Sequence, residues 1–165
     1  MAMVTGARGE AFGLESFRRF VQSILPYATA VARASMIHGA DYWERVALAG
    51  MELAKETAGA DPLVVWLFAG IHDSRRLSDR YDPHHGRRAA VLANELRDGG
   101  LFSVTDEQME LLEHALQSHA AGHVSKDPTI GACWDSDRLD LPRCGIAPDP
   151  TLLSTEAAKK LLAAR

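Results

Sequence analysis

Ten apolar residues in a row, Pro62 to Ile71 (PLVVWLFAGI), run straight into two ionisable ones, His72 and Asp73. Asp61 is a good N-cap and Pro62 suits a first helical position, so the run predicts a helix that carries through to His72-Asp73. A helix that is apolar on nearly every face belongs at the centre of a bundle, enclosed by other helices. The run is far short of the ~20 residues that a membrane-spanning helix needs, so no bilayer crossing is expected.

The rest of the chain supplies candidate partners for that helix. Phe17, Phe20, Val21 and Ile24 recur at helical spacing up to Pro26, and Tyr27 to Ala34 is Ala-rich and can resume as a second helix. Asp41 to Ala58 places Trp43, Val46, Gly50 and Leu53 on one stripe, with Gly59 as its stop. Ser74 to Gly86 has no periodicity and predicts a loop, followed by a helix over Arg87 to Arg97 that Gly99-Gly100 closes. Thr105 with Gln108 forms a capping-box signature ahead of Met109, Leu112, Leu116 and His119 on one face. Asp127-Pro128 repeats the cap-and-proline start, and a short last helix is expected near Thr155 to Ala164. No period-2 run appears, so the expectation is an all-α, compact single-domain helical bundle over residues 14–165, preceded by a flexible leader, 1–13.

At 165 residues, 47% of them hydrophobic, the chain can bury a core without disulfides or a structural metal. A net charge of -4 argues against a general nucleic-acid binder. The start lacks the apolar segment of a secretory signal, and Cys133 and Cys144 form no CxxC pair, so a cytoplasmic protein with reduced thiols is expected.

Burying His72 and Asp73 without partners is costly, so they are either hydrogen-bonded into the core or joined by a cation. Helical neighbours diverge by about 100°, so both can reach one ion only near a helix end, which is where they stand. A lone His38 (IHGADYWERV), then His72-Asp73 (FAGIHDSRR), then Asp137 (WDSDRLDL) completes an order that resembles the HD-domain superfamily of metal-dependent phosphohydrolases, over about Ile37 to Leu141. The resemblance implies an HD-type helical domain with His38, His72, Asp73 and Asp137 as metal ligands. Asp135, Asp137 and Asp140 compete for the distal position, with Asp135 the main alternative to Asp137 and Asp140 expected to be solvated or paired with an arginine. Asp135 and Asp137 project about 200° apart and cannot share one role, and the Ser-Asp-Arg-Leu context favours Asp137.

Some members of that superfamily bind a second metal through two further histidines, and His85 and His119 occupy the corresponding places. On periodicity alone, His119 reads as an inward-facing core histidine bonded to a backbone carbonyl, and the ligand role comes from the resemblance. His114 is expected to face outward, and His84 and His123 to sit in loops. Five arginines, Arg75, Arg76, Arg80, Arg87 and Arg88, crowd the Ser74 to Arg88 stretch against two aspartates. The guanidinium fork suits phosphate, although a solvated loop with internal ion pairs explains most of them equally well. Arg76, beside the doublet, and Arg138, beside Asp137, are the two candidates for a phosphate-binding or supporting role.

The expectation is therefore a phosphohydrolase, a phosphomonoesterase or phosphodiesterase. Asp73, Arg76 and Arg138 would serve catalysis, with one or two divalent ions (Mn, Fe, Co, Ni, Zn or Mg) and a nucleotide or other small phosphate ester as substrate. The rival expectation is a catalytically inactive HD-like module that binds a small anionic ligand or a partner protein. The sequence carries no Gly-rich phosphate loop, no Walker lysine, no GxSxG elbow and no Cys-His nucleophile signature.

Overall fold

The computed structural model describes residues 13–164. Within them the chain forms eight α-helices and no strand: α1 Leu14–Ile24, α2 Ala30–Ala34, α3 Ala40–Glu56, α4 Pro62–Ile71, α5 His85–Asp98, α6 Asp106–Ser118, α7 Pro128–Arg138 and α8 Glu156–Ala163. Short 3-10 turns occupy Leu25–Tyr27, His119–Ala121, Leu141–Cys144 and Pro150–Leu152. The expected leader lies outside the described residues except for Gly13, the N-cap of α1.

Local chemistry sets most helix starts. The Asp61 carboxylate accepts from the amides of Leu63 and Val64, and Asp127 does the same for Thr129 and Ile130. Thr105 and Gln108 make the reciprocal capping box at α6. Several boundaries differ from the sequence expectation, and α3 ends at Glu56, two residues before the expected Ala58. The Ala-rich stretch yields only the five-residue α2, because Thr29 caps Ala32 while its own amide donates to Ser74 O, and this pins the chain before the helix can start earlier. The α4 helix ends at Ile71, and His72 and Asp73 enter a tighter turn in which Ser74 N donates to Ile71 O. At its start, α5 takes in His85 and Gly86, two residues before the expected Arg87.

The bundle is organised around α4, in which every residue from Val64 to Ile71 is buried. It packs most extensively on α3 and then on α6 and α7. On another side, Phe17 and Phe20 of α1 meet Trp66 at ring-centroid distances of 5.5 and 4.7 Å. Close approaches that depend on missing side chains include one at Gly50 and one at Gly86. A Cβ on Gly50 would come 2.7 Å from Val65 Cγ1, where α3 crosses α4. A Cβ on Gly86 would come 2.3 Å from Leu116 O, where the start of α5 presses on the end of α6. That second contact carries His85 against His119. No helix among the described residues is long and apolar enough to cross a membrane.

Candidate metal centre

Helix ends converge on one buried point. His72 caps the C-terminus of α4 and Asp73 follows it, His119 caps α6, Asp137 lies in the last turn of α7, His85 begins α5, and His38 stands just ahead of α3. The Asp73 carboxylate is at the centre. Its Oδ2 lies 2.9 Å from His38 Nδ1 and 3.8 Å from His72 Nε2. Its Oδ1 lies 3.3 Å from His85 Nε2 and 3.8 Å from His119 Nε2. Asp137 Oδ1 closes the far side, 3.8 Å from His72 Nε2, and accepts a hydrogen bond from the Tyr42 hydroxyl.

The imidazole tautomers follow from their outer contacts. Nδ1 of His72 donates to Ala69 O, Nδ1 of His119 to Leu116 O, and Nδ1 of His85 to Asp82 O. In the neutral ring this leaves each Nε2 with a lone pair, and all three point inward at a carboxylate; that of His85 also faces Arg76 Nη1 at 3.4 Å. Two of them, on His85 and His119, are 2.8 Å apart. Nε2 of His72 is buried without any hydrogen-bond partner. Lone pairs facing each other and a carboxylate repel unless a proton or a cation lies between them. Asp73, His85 and His119 present donor atoms that all lie within 4.8 Å of one another and could hold a metal ion.

The electrostatics fit that arrangement. Burial by itself raises the Asp73 carboxyl, but the facing His72, His119 and His38 more than reverse this and hold it well below the usual carboxylate range. Burial lowers His72. Burial, followed by the neighbouring His119, lowers His85 to about 4. Burial also opposes a charge on His119, yet the Asp73 and Asp137 carboxylates outweigh it and raise that group. In the cation-free cluster, a proton on His119 Nε2 therefore relieves the contact with His85, at the position a cation would take. The Tyr42 phenol is pushed well up, first by burial and then by Asp137 and Asp73, and stays a donor.

Of the two distal candidates, Asp137 reaches the cluster and Asp135 does not. Asp135 is turned the other way and accepts from the Ser154 and Thr155 amides and the Thr155 hydroxyl at 2.7 to 2.8 Å, tying α7 to the start of α8. Arg76 belongs to the site: its Nη1 is 3.3 Å from Asp73 Oδ1 and 3.4 Å from His85 Nε2, while Ser78 O and Arg80 O fix the rest of the guanidinium. Arg138 is held elsewhere, donating to Leu152 O and lying 5.6 Å over Trp134. Arg75 and Arg88 brace the loop through Tyr27 O and Asp82, and Arg80 and Arg87 are exposed. His84, His114 and His123 are exposed and lie outside the cluster.

A cleft of about 490 Å³ meets the cluster at Arg76 and His85 and is walled by Arg80, Tyr81, Gln117 and Ala120. Two residues beside the site, Tyr42, which bonds Asp137, and Arg143, which stacks on the Tyr42 ring, are not apparent in the sequence. The only trace is that Tyr42 follows His38 by four positions, which carries little meaning because His38 precedes the helix. Comparison with protein-family models, with curated proteins and with solved structures returns no match.

Proposed function

We propose that the chain is a metal-dependent phosphohydrolase of the HD-domain type, acting on a nucleotide or another small phosphate ester. His38, His72, Asp73 and Asp137 would hold one divalent cation, and His85 and His119, sharing Asp73, a second. The observation that carries this reading is the convergence of three Nε2 lone pairs on Asp73, with their Nδ1 hydrogens already committed to backbone carbonyls. Outer hydrogen bonds of that kind orient imidazoles for metal ligation. A nitrogen-rich set with two carboxylates suits Mn, Fe, Co, Ni or Zn better than Mg.

A divalent cation bound there would lower the pKa of a coordinated water and polarise a phosphoryl oxygen. The chain's own contribution is placement. Asp73, kept ionised, supplies negative charge to both sides of the cluster. Arg76, immobilised by two carbonyls, lines the cleft with its positive charge, where a phosphoryl oxygen would gain charge. Arg138, tied to Leu152, plays no part in this reading. One observation favours the rival, an HD-like module without turnover: His72 and Asp73 are almost wholly enclosed, at 0% and 3% exposure.

The test is a turnover screen of the metal-loaded protein against phosphomonoesters, phosphodiesters and nucleotides, beside an Asp73→Ala variant. Phosphate release by the wild type that the variant lacks is the expected result. A wild type that binds metal but releases no phosphate from any of the panel overturns the hydrolase in favour of the binding module.

A further inference from the structure

Tyr42 is 1% exposed and lies against the His38, His72 and Asp137 side of the metal centre. Its hydroxyl donates to Asp137 Oδ1, the oxygen that faces His72 Nε2, and its ring meets those of His38 and His72 edge-on at 6.2 and 5.5 Å. Over its face lies the guanidinium of Arg143, whose central carbon is 3.3 Å from the ring centroid. Arg143 is itself fixed: Nε donates to Ile37 O at 2.7 Å and Nη1 to Asp140 O at 3.0 Å. Those carbonyls belong to the residue before His38 and to the turn just after α7. A second arginine, Arg45, is farther from the ring at 5.8 Å and is paired with Asp140.

We propose that Tyr42 and Arg143 are a positioning pair for the metal centre: the phenol fixes the Asp137 carboxylate, and the arginine fixes the phenol while joining the His38 segment to the end of α7. The proposal rests on the metal-centre reading above. Asp137 needs such help more than Asp73 does. Imidazoles surround Asp73 on both oxygens, whereas Asp137 stands at a helix end, faces one imidazole, and has a side chain 17% exposed against 3% for Asp73. A hydroxyl that occupies one lone pair of Oδ1 holds the carboxylate towards the cluster and leaves the remaining lone pairs for a cation. A guanidinium stacked on the ring suits the arrangement because its planar fork bonds two carbonyls while its face covers the aromatic.

Titration calorimetry of the metal-free full chain with Mn²⁺ and Zn²⁺ tests this on the wild type, Tyr42→Phe, Arg143→Ala, Asp137→Ala and the Tyr42→Phe/Asp137→Ala double variant. Outer partners of metal ligands typically account for about ten- to a hundredfold in affinity. Tyr42→Phe is expected to raise Kd by about that factor, Arg143→Ala to shift it the same way, and Tyr42→Phe to have no further effect once Asp137 is gone. If Tyr42→Phe binds metal as the wild type does, or adds its full effect in the Asp137→Ala background, the pair only supports the fold and the proposal is overturned. A wild type that binds neither ion overturns the metal-centre reading and this proposal with it. Binding that Asp137→Ala weakens and Tyr42→Phe does not overturns the positioning role alone. Circular dichroism checks each fold, and if Tyr42→Phe fails to fold, Arg143→Ala and its double variant with Asp137→Ala are judged by the same criteria.

Discussion

Gly86→Ala isolates how tightly α5 must press on α6 for the site to exist. The added Cβ would lie 2.3 Å from Leu116 O and 3.2 Å from Gln117 O, both backbone atoms that no rotamer change can move. Ordinary contact begins near 3.4 Å, so the helices must part by about 1 Å. Two effects oppose each other. Overpacking of this kind costs about 1–3 kcal/mol. Alanine in a helix recovers up to about 1 kcal/mol over glycine. Overpacking wins, and a chain of this size loses about 2–4 °C of Tm per kcal/mol, so a fall on the order of 5 °C is expected. Metal affinity suffers more, because ligand distances tolerate only about 0.2 Å and His85 rides on the displaced turn. Scanning fluorimetry without metal, with calorimetric titration beside it, measures both. A variant that keeps the wild-type Tm and metal Kd would refute the idea that this contact sets the His85–His119 spacing.

A divalent cation at about a hundredfold excess over its Kd is expected to add about 2.7 kcal/mol of stability, a rise in Tm of roughly 5–10 °C; melts that do not respond, or an Asp73→Ala variant that responds equally, contradict the site. His85 makes a pH prediction for the metal-free protein. Burial and His119 hold it at about 4 in the folded chain against an ordinary 6.5, so the unfolded chain takes up this proton first as pH falls. Neutral His85 therefore contributes up to about 3 kcal/mol that is lost between about pH 6.5 and 4. His119, shifted upward, contributes with the opposite sign, so the comparison is with His85→Gln, whose stability should fall less across that window in urea titrations. Equal slopes in the two proteins would contradict the assignment. Asp135→Ala strips an acceptor from three donors and should lower stability by about 3 kcal/mol or more while leaving metal affinity unchanged; weakened metal binding in a folded variant would return Asp135 to the site.

Features that depend on near neighbours are legible in the sequence. Asp61-Pro62, Thr105 with Gln108 and Asp127-Pro128 state their helix starts within three or four residues, and the enclosed α4 follows from one apolar run. His72-Asp73 are legible for the same reason, as ionisable groups that end it. His119 shows its inward face by period but not its partner, and His38 and His85 stand out only through the order of a family pattern. Arg138 shows where adjacency in sequence misleads: one step along a helix turns a side chain by about 100°, enough to send it from Asp137's side to Trp134 and Leu152. Tyr42 and Arg143 act across 95 and 106 residues of chain, and no local pattern encodes a contact of that span. The loop arginines look alike in sequence and separate only by which carbonyl or carboxylate each one reaches.

The enclosure of α4 also sets a clock. Amides in a helix with no solvent-facing residue from Val64 to Ile71 exchange hydrogen only when the whole bundle opens. His38 and His85 border segments without regular helix, 35–39 and 72–84, whose amides exchange through smaller, local openings. The cluster thus joins the part of the chain expected to exchange most slowly to two segments expected to exchange faster. A cation shared by Asp73 and the histidines of those segments would tie their opening to that of α4, and hydrogen-exchange protection would spread outward from the central helix along the segments that supply the ligands.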